Sequence, residues 1–81
     1  MNIQAEVSLY PLRTGELSGP IEAFCEALVQ SGLEVQRGPM STRVSGDCEG
    51  VFAGLGQAFA RVVEANEVVL VAKVSNSCPE D

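Results

Sequence analysis

The sequence predicts an α+β fold: one four-stranded antiparallel sheet with two helices on one face. Three observations predict it. Apolar residues alternate with polar ones near both ends of the chain and in two short segments at its middle. Two longer segments place them instead at helical spacing. Glycine and proline punctuate the boundaries between these segments. The resulting order, β-α-β-β-α-β, is the split βαβ pattern of ferredoxin-like folds. Two right-handed crossovers then close it into a single sheet whose second face lies open.

Residues 2–10 form the first strand in this reading. Ile3, Ala5, Val7 and Leu9 alternate with Asn2, Gln4, Glu6 and Ser8, so one face is apolar and the other polar. Pro11 lacks an N–H, which predicts that the strand ends near Tyr10. Residues 12–18 connect it to a helix over residues 19–31. There Ile21, Phe24, Cys25, Leu28 and Val29 make one stripe, Ser18 or Gly19 supplies the cap, and Pro20 occupies the first turn. Gly32 suits the left-handed position that stops a helix. Residues 33–37 alternate as a short strand, and Gly38-Pro39 marks a turn. Residues 41–46 make a third strand, and Asp47 stands as N-cap of a second helix reaching about Glu64. Its expected stripe is Val51, Phe52, Leu55, Ala58, Phe59 and Val62. Residues 66–75, rich in β-branched side chains, form the last strand, and the chain leaves the sheet by Pro79.

Composition narrows the function classes. The chain has 81 residues, which read as one domain, and 46% of them are apolar, as a packed core requires. Its formal net charge of −6 argues against nucleic acid and against an anionic membrane surface, both of which are bound through Lys and Arg. Histidine is absent, which removes Ser-His-Asp and Cys-His pairs and the commonest metal ligand. No apolar run is long enough to cross a bilayer, and the first residues lack the pattern of a signal peptide. Cys25, Cys48 and Cys78 include no CxxC pair, so reduced thiols and a cytoplasmic location are expected, with neither cofactor nor metal.

The third strand is polar for a central one. Val44 is its one large apolar residue, with Thr42 and Gly46 on the same face. A hydroxyl directed at a core needs a partner or costs about 1–3 kcal/mol, so Thr42 either bonds nearby backbone or lines a small polar pocket. Arg43 shares the opposite parity with Ser45, as a solvated, interface or ligand-contacting residue. Tyr10 at the end of the first strand can shelter a pocket mouth or pack against a second subunit. Gly54 and Gly56 stand inside the second helix, as close-packing positions or as room for a ligand. Cys25 reads as a small core residue. Cys48 and Cys78 lack a histidine to activate them as nucleophiles.

Four segments together resemble a known family: Tyr10-Pro11-Leu12, Ser41-Thr42-Arg43-Val44-Ser45-Gly46-Asp47, Val51-Phe52 through Phe59, and Ser75-Asn76-Ser77-Cys78-Pro79. They look like the repeat unit of the YkoF-type thiamine/hydroxymethylpyrimidine-binding proteins and, more loosely, like the small single-domain thiamine-binding proteins. The resemblance implies non-enzymatic binding of thiamine or its hydroxymethylpyrimidine moiety, in salvage or transport of thiamine precursors. It marks Tyr10, Ser41, Thr42, Arg43, Ser75 and Asn76 as candidate ligand-binding residues. YkoF-type chains carry two repeats and this one carries a single repeat, which implies a homodimer or homotetramer in place of the tandem. Glu6, Ser8, Tyr10, Val69, Val71 and Lys73 share the parity of the open sheet face and would form such an interface. The competing reading is a regulatory or assembly module that binds a partner protein through the same face.

Overall fold

The computed structural model describes residues 1–77. The elements are β1 (Asn2–Leu12), α1 (Ser18–Gln30), β2 (Glu34–Arg37), β3 (Thr42–Asp47), α2 (Cys48–Val63) and β4 (Glu67–Ser75). They form one antiparallel sheet of order β2-β3-β1-β4, the ferredoxin-like arrangement read from the sequence. The inward residues of β1, Ile3, Ala5, Val7 and Leu9, are all buried. They meet Phe24 and Leu28 of α1, Val44 of β3, and Val51, Leu55, Ala58 and Val62 of α2. Fully burying each large aliphatic or aromatic member is worth about 1.5–3 kcal/mol.

The helices bury narrower arcs than their stripes imply. In α1 the buried residues are Pro20, Phe24, Cys25, Ala27 and Leu28, and Val29 is 57% exposed. In α2 they are Val51, Gly54, Leu55, Ala58 and Val62, and Phe52 is 55% exposed. Each misplaced residue directly follows a buried one, about 100° further round the helix, which carries it past the sheet.

Pro11 does not end β1. Pairing with β3 stops at Val7, while pairing with β4 runs on to Leu12, with Pro11 opposite Val68. Beyond Val7 the strand has a neighbour on one side, and a proline is tolerated at such an edge. The caps also differ from expectation. Leu17 is the N-cap of α1 and makes no side-chain bond. The Glu16 carboxylate accepts from the Ser18 hydroxyl at 3.0 Å and the Gly19 N–H at 3.2 Å instead. Asp47 is the N-cap of α2 as expected, but its carboxylate pairs with the N-terminal ammonium at 3.4 Å and bonds no helix N–H. Gly32 stops α1 at a φ of 86°.

The glycines of α2 make no room for a ligand. A β-carbon at Gly54 would lie 2.6 Å from Leu33 Cδ1 and 3.3 Å from Ser31 Cβ, so the helix packs on the α1–β2 connection there. Gly56 is exposed and has nothing within 4 Å of that position.

Candidate functional site

Unequal strand lengths create the site. β1 outruns β3, so past Val7 the side of β1 that faced β3 has no strand partner among the described residues. The β2–β3 hairpin overhangs this open edge. It closes at the pair Arg37 and Thr42, and within its loop the Gly38 N–H donates to the Ser41 carbonyl at 2.8 Å. A β-carbon at Gly38 would stand 3.0 Å from that carbonyl oxygen, so the tight turn favours glycine. The first half of α1 forms the third wall. Between these elements lies a cleft of about 210 Å3.

Its apolar wall is Val7 and Leu9 of β1 with Ile21 and Phe24 of α1. Thr42 stands across from Val7, on the inward parity, and is partly buried. Its hydroxyl is 3.8 Å from Cys25 Sγ, a weak thiol contact that leaves it able to bond a guest. Ser41 is committed differently, donating from Oγ to the Glu6 carboxylate at 3.2 Å. Tyr10, 52% exposed, lines the cleft from the strand end, while its parity along β1 is that of the open sheet face, opposite Val69. Arg37, Pro39 and Met40 complete the rim on the hairpin side.

Three of the six candidate residues, Tyr10, Ser41 and Thr42, thus converge on one cleft. Arg43 does not line it; it sits across from Glu6 on the open face, with Gln36 on its other side. Ser75 and Asn76 lie elsewhere. Ser75 pairs with Gln4, whereas Thr42 pairs with Val7, so the two are about 10 Å apart along β1 and about 10 Å apart across it. Ser75 Oγ accepts from the Ser77 N–H at 3.0 Å, and the Asn76 amide is 3.8 Å from Met1 Sδ. Cys78 and Pro79, in the same motif, lie outside the described residues. Among the cleft residues that motif reading missed are Leu9, Ile21, Phe24 and Arg37. The first three looked like core, but Arg37 carried a signal: it is a charge on the inward parity of its strand.

A larger hollow of about 440 Å3 lies at the C-terminal end of β1, between Leu12, Arg13, Val63 and Asn66. It is more polar and more open, and the Arg13–Glu67 ion pair, at 2.8 Å, lies along it. It lacks the apolar wall that holds a ring. Among the described residues no cluster of metal-ligating side chains occurs, and no helix is long and apolar enough to cross a membrane.

Fold and cleft together define a small ferredoxin-like module with room for one ring-sized guest. The sequence profile of the thiamine-binding proteins matches residues 5–77, and the chain belongs to that family. No curated protein matches it. Solved structures agree on the fold. A hypothetical protein of Methanocaldococcus jannascii superposes with a TM-score of 0.85 at 23% identity, over 99% of this chain and 84% of that one. A domain of unknown function from Bacillus cereus gives 0.80 at 22% identity, over 93% of this chain and 75% of its own. A protein of Thermotoga maritima, provisionally assigned to thiamine biosynthesis or salvage, gives 0.85 at 18% identity, over 95% and 85%.

Proposed function

We propose that the protein binds the hydroxymethylpyrimidine moiety, free or within thiamine, in the cleft beside β1, and does no chemistry on it. The observation that carries this reading is the edge of β1, unpaired among the described residues, next to an apolar wall. An aminopyrimidine presents a ring nitrogen that accepts and an amino group that donates, side by side. A strand edge presents the complementary N–H and C=O. The ring would continue the ladder where β3 stops, with Leu9, Ile21 and Phe24 against its face and the Thr42 hydroxyl at its edge. The cleft's volume of about 210 Å3 is below the ~300–1,000 Å3 that encloses drug-sized molecules. That size favours the pyrimidine alone and leaves the thiazolium of thiamine outside. Binding without turnover suits a cytoplasmic role in salvage or transport of thiamine precursors.

Calorimetric titration tests the reading. Hydroxymethylpyrimidine and thiamine should each bind once per chain. The analogue lacking the amino group should bind at least tenfold more weakly, because it leaves a backbone carbonyl unpaired. Absence of heat with both amino compounds would refute it.

The open face supports a second part of the proposal, that the protein works as a homodimer or homotetramer. Tyr10 and Val69 stand opposite each other there, as do Ser8 and Val71. Val69 is 44% exposed and Val71 46%. Glu6 stands between Arg43 and Lys73 in register, so charges of both signs alternate across this face.

A further inference from the structure

The chain has five cationic side chains, and their placement is uneven. Arg13 is paired with Glu67, and Arg61 donates to the Gln30 side chain at 3.3 Å. Arg43 and Lys73 flank Glu6 on the open face. Arg37 remains. It stands opposite Thr42 in the register, hence on the helix-facing side of the sheet, and among the described residues it is the one charged residue that lines the cleft. Among the described residues its side chain makes no hydrogen bond or ion pair. Glu6, the carboxylate tied to a cleft residue through Ser41, belongs to the opposite face and is flanked there by its two cations.

A cleft whose described residues include a single unpaired guanidinium and no carboxylate does not favour a cation, whatever the protein's net charge. It favours an anion carried on the guest. We infer that Arg37 makes the cleft selective for a hydroxymethylpyrimidine bearing a phosphate monoester on its hydroxymethyl group. This inference rests on the pyrimidine reading of the same cleft. The guanidinium presents a planar fork of donors that matches two phosphate oxygens at once, which an ammonium cannot do. The ring would sit against β1 and α1, and the ester would reach the rim where Arg37 stands. Because Arg37 is exposed, water and salt screen the contact, and its effect falls as ionic strength rises.

The test is titration of the full chain and of Arg37→Gln and Arg37→Lys with the free alcohol, its phosphate ester, thiamine, thiamine monophosphate and inorganic phosphate. Circular dichroism checks that each variant is folded. For the wild type the ester should bind about tenfold more tightly than the alcohol, with a preference that shrinks at high salt. Arg37→Gln should abolish that preference, lowering the affinity for the ester about tenfold more than that for the alcohol, and Arg37→Lys should restore part of it. Thiamine monophosphate, whose phosphate is attached on the thiazolium side, should show no comparable gain over thiamine. Equal wild-type affinities for alcohol and ester, or a preference that survives Arg37→Gln, would overturn the inference while leaving the pyrimidine reading intact. Inorganic phosphate competing as well as the ester would also overturn it, since the ring would then contribute nothing. Failure of alcohol and ester alike to bind would remove the pyrimidine reading itself. If Arg37→Gln instead changed only the state of association, the inward charge would be a guard on the exposed β2 edge and the inference would fall.

Discussion

Replacing Gly54 and Gly56 by alanine, one at a time, separates helix propensity from packing on a single helix. Both glycines lie in α2, and each costs about 0.8–1 kcal/mol relative to alanine in a helix interior. At Gly56 the new methyl meets nothing within 4 Å, so Gly56→Ala should recover most of that amount. At Gly54 it would lie 2.6 Å from Leu33 Cδ1. Leu33 cannot simply swing away. Its other methyl, Cδ2, would stand 2.9 Å from a β-carbon at Gly46 and 3.9 Å from one at Gly50. The side chain is therefore keyed into a slot formed by three glycines, and moving one methyl drives the other into β3 or α2. Overpacking of this kind costs about 1–3 kcal/mol, against a propensity gain of about 1. The net expectation for Gly54→Ala is a loss of roughly 0–2 kcal/mol, placing it ~1–3 kcal/mol below Gly56→Ala. In a domain of this size 1 kcal/mol moves Tm by about 4–8 °C, so thermal and urea denaturation resolve the difference. The double variant Leu33→Ala/Gly54→Ala should show a favourable coupling, because the methyl then enters vacated space. If Gly54→Ala proves as stable as Gly56→Ala, the keyed packing of Leu33 is wrong.

Three further outcomes follow from the geometry. Thr42→Val keeps the shape of the side chain and removes a hydroxyl whose contact within the protein is the weak one to Cys25. Affinity for hydroxymethylpyrimidine should fall by about 1–2 kcal/mol, roughly 5–30-fold, with stability nearly unchanged; unaltered titration curves would return Thr42 to a purely structural role. Light scattering at micromolar concentration should find a species heavier than the 8.5 kDa chain, and Val71→Glu, which places a charge on the open face, should shift it toward the monomer. A wild type that scatters only as monomer contradicts the proposed interface. Cys48, half-buried at the first position of α2 and absent from the cleft wall, should tolerate Cys48→Ser with ligand affinity within about 0.5 kcal/mol, and calorimetry that shows lost binding would implicate the thiol in the site.

The element order, the inward row of β1, the helix stop at Gly32 and the open-face position of Arg43 were legible in the sequence. Each depends on a local rule: a period of two or 3.6, the left-handed tolerance of glycine, or the alternation of side chains along a strand. The family motifs likewise named Tyr10, Ser41 and Thr42, which the fold gathers at one cleft. The cleft itself was not legible. It exists because β3 stops pairing at Val7 while β4 continues to Leu12, and where a partner strand ends is a property of two distant segments, not of either alone. The same non-local register carries Ser75 away from Thr42 although one family motif claims each. Packing between elements decided the rest. Val29 and Phe52 joined stripes that periodicity drew too wide, because a sheet covers only part of a helix's circumference. Glu16 capped α1 where Ser18 or Gly19 was expected, because side-chain reach settles which group finds the free N–H.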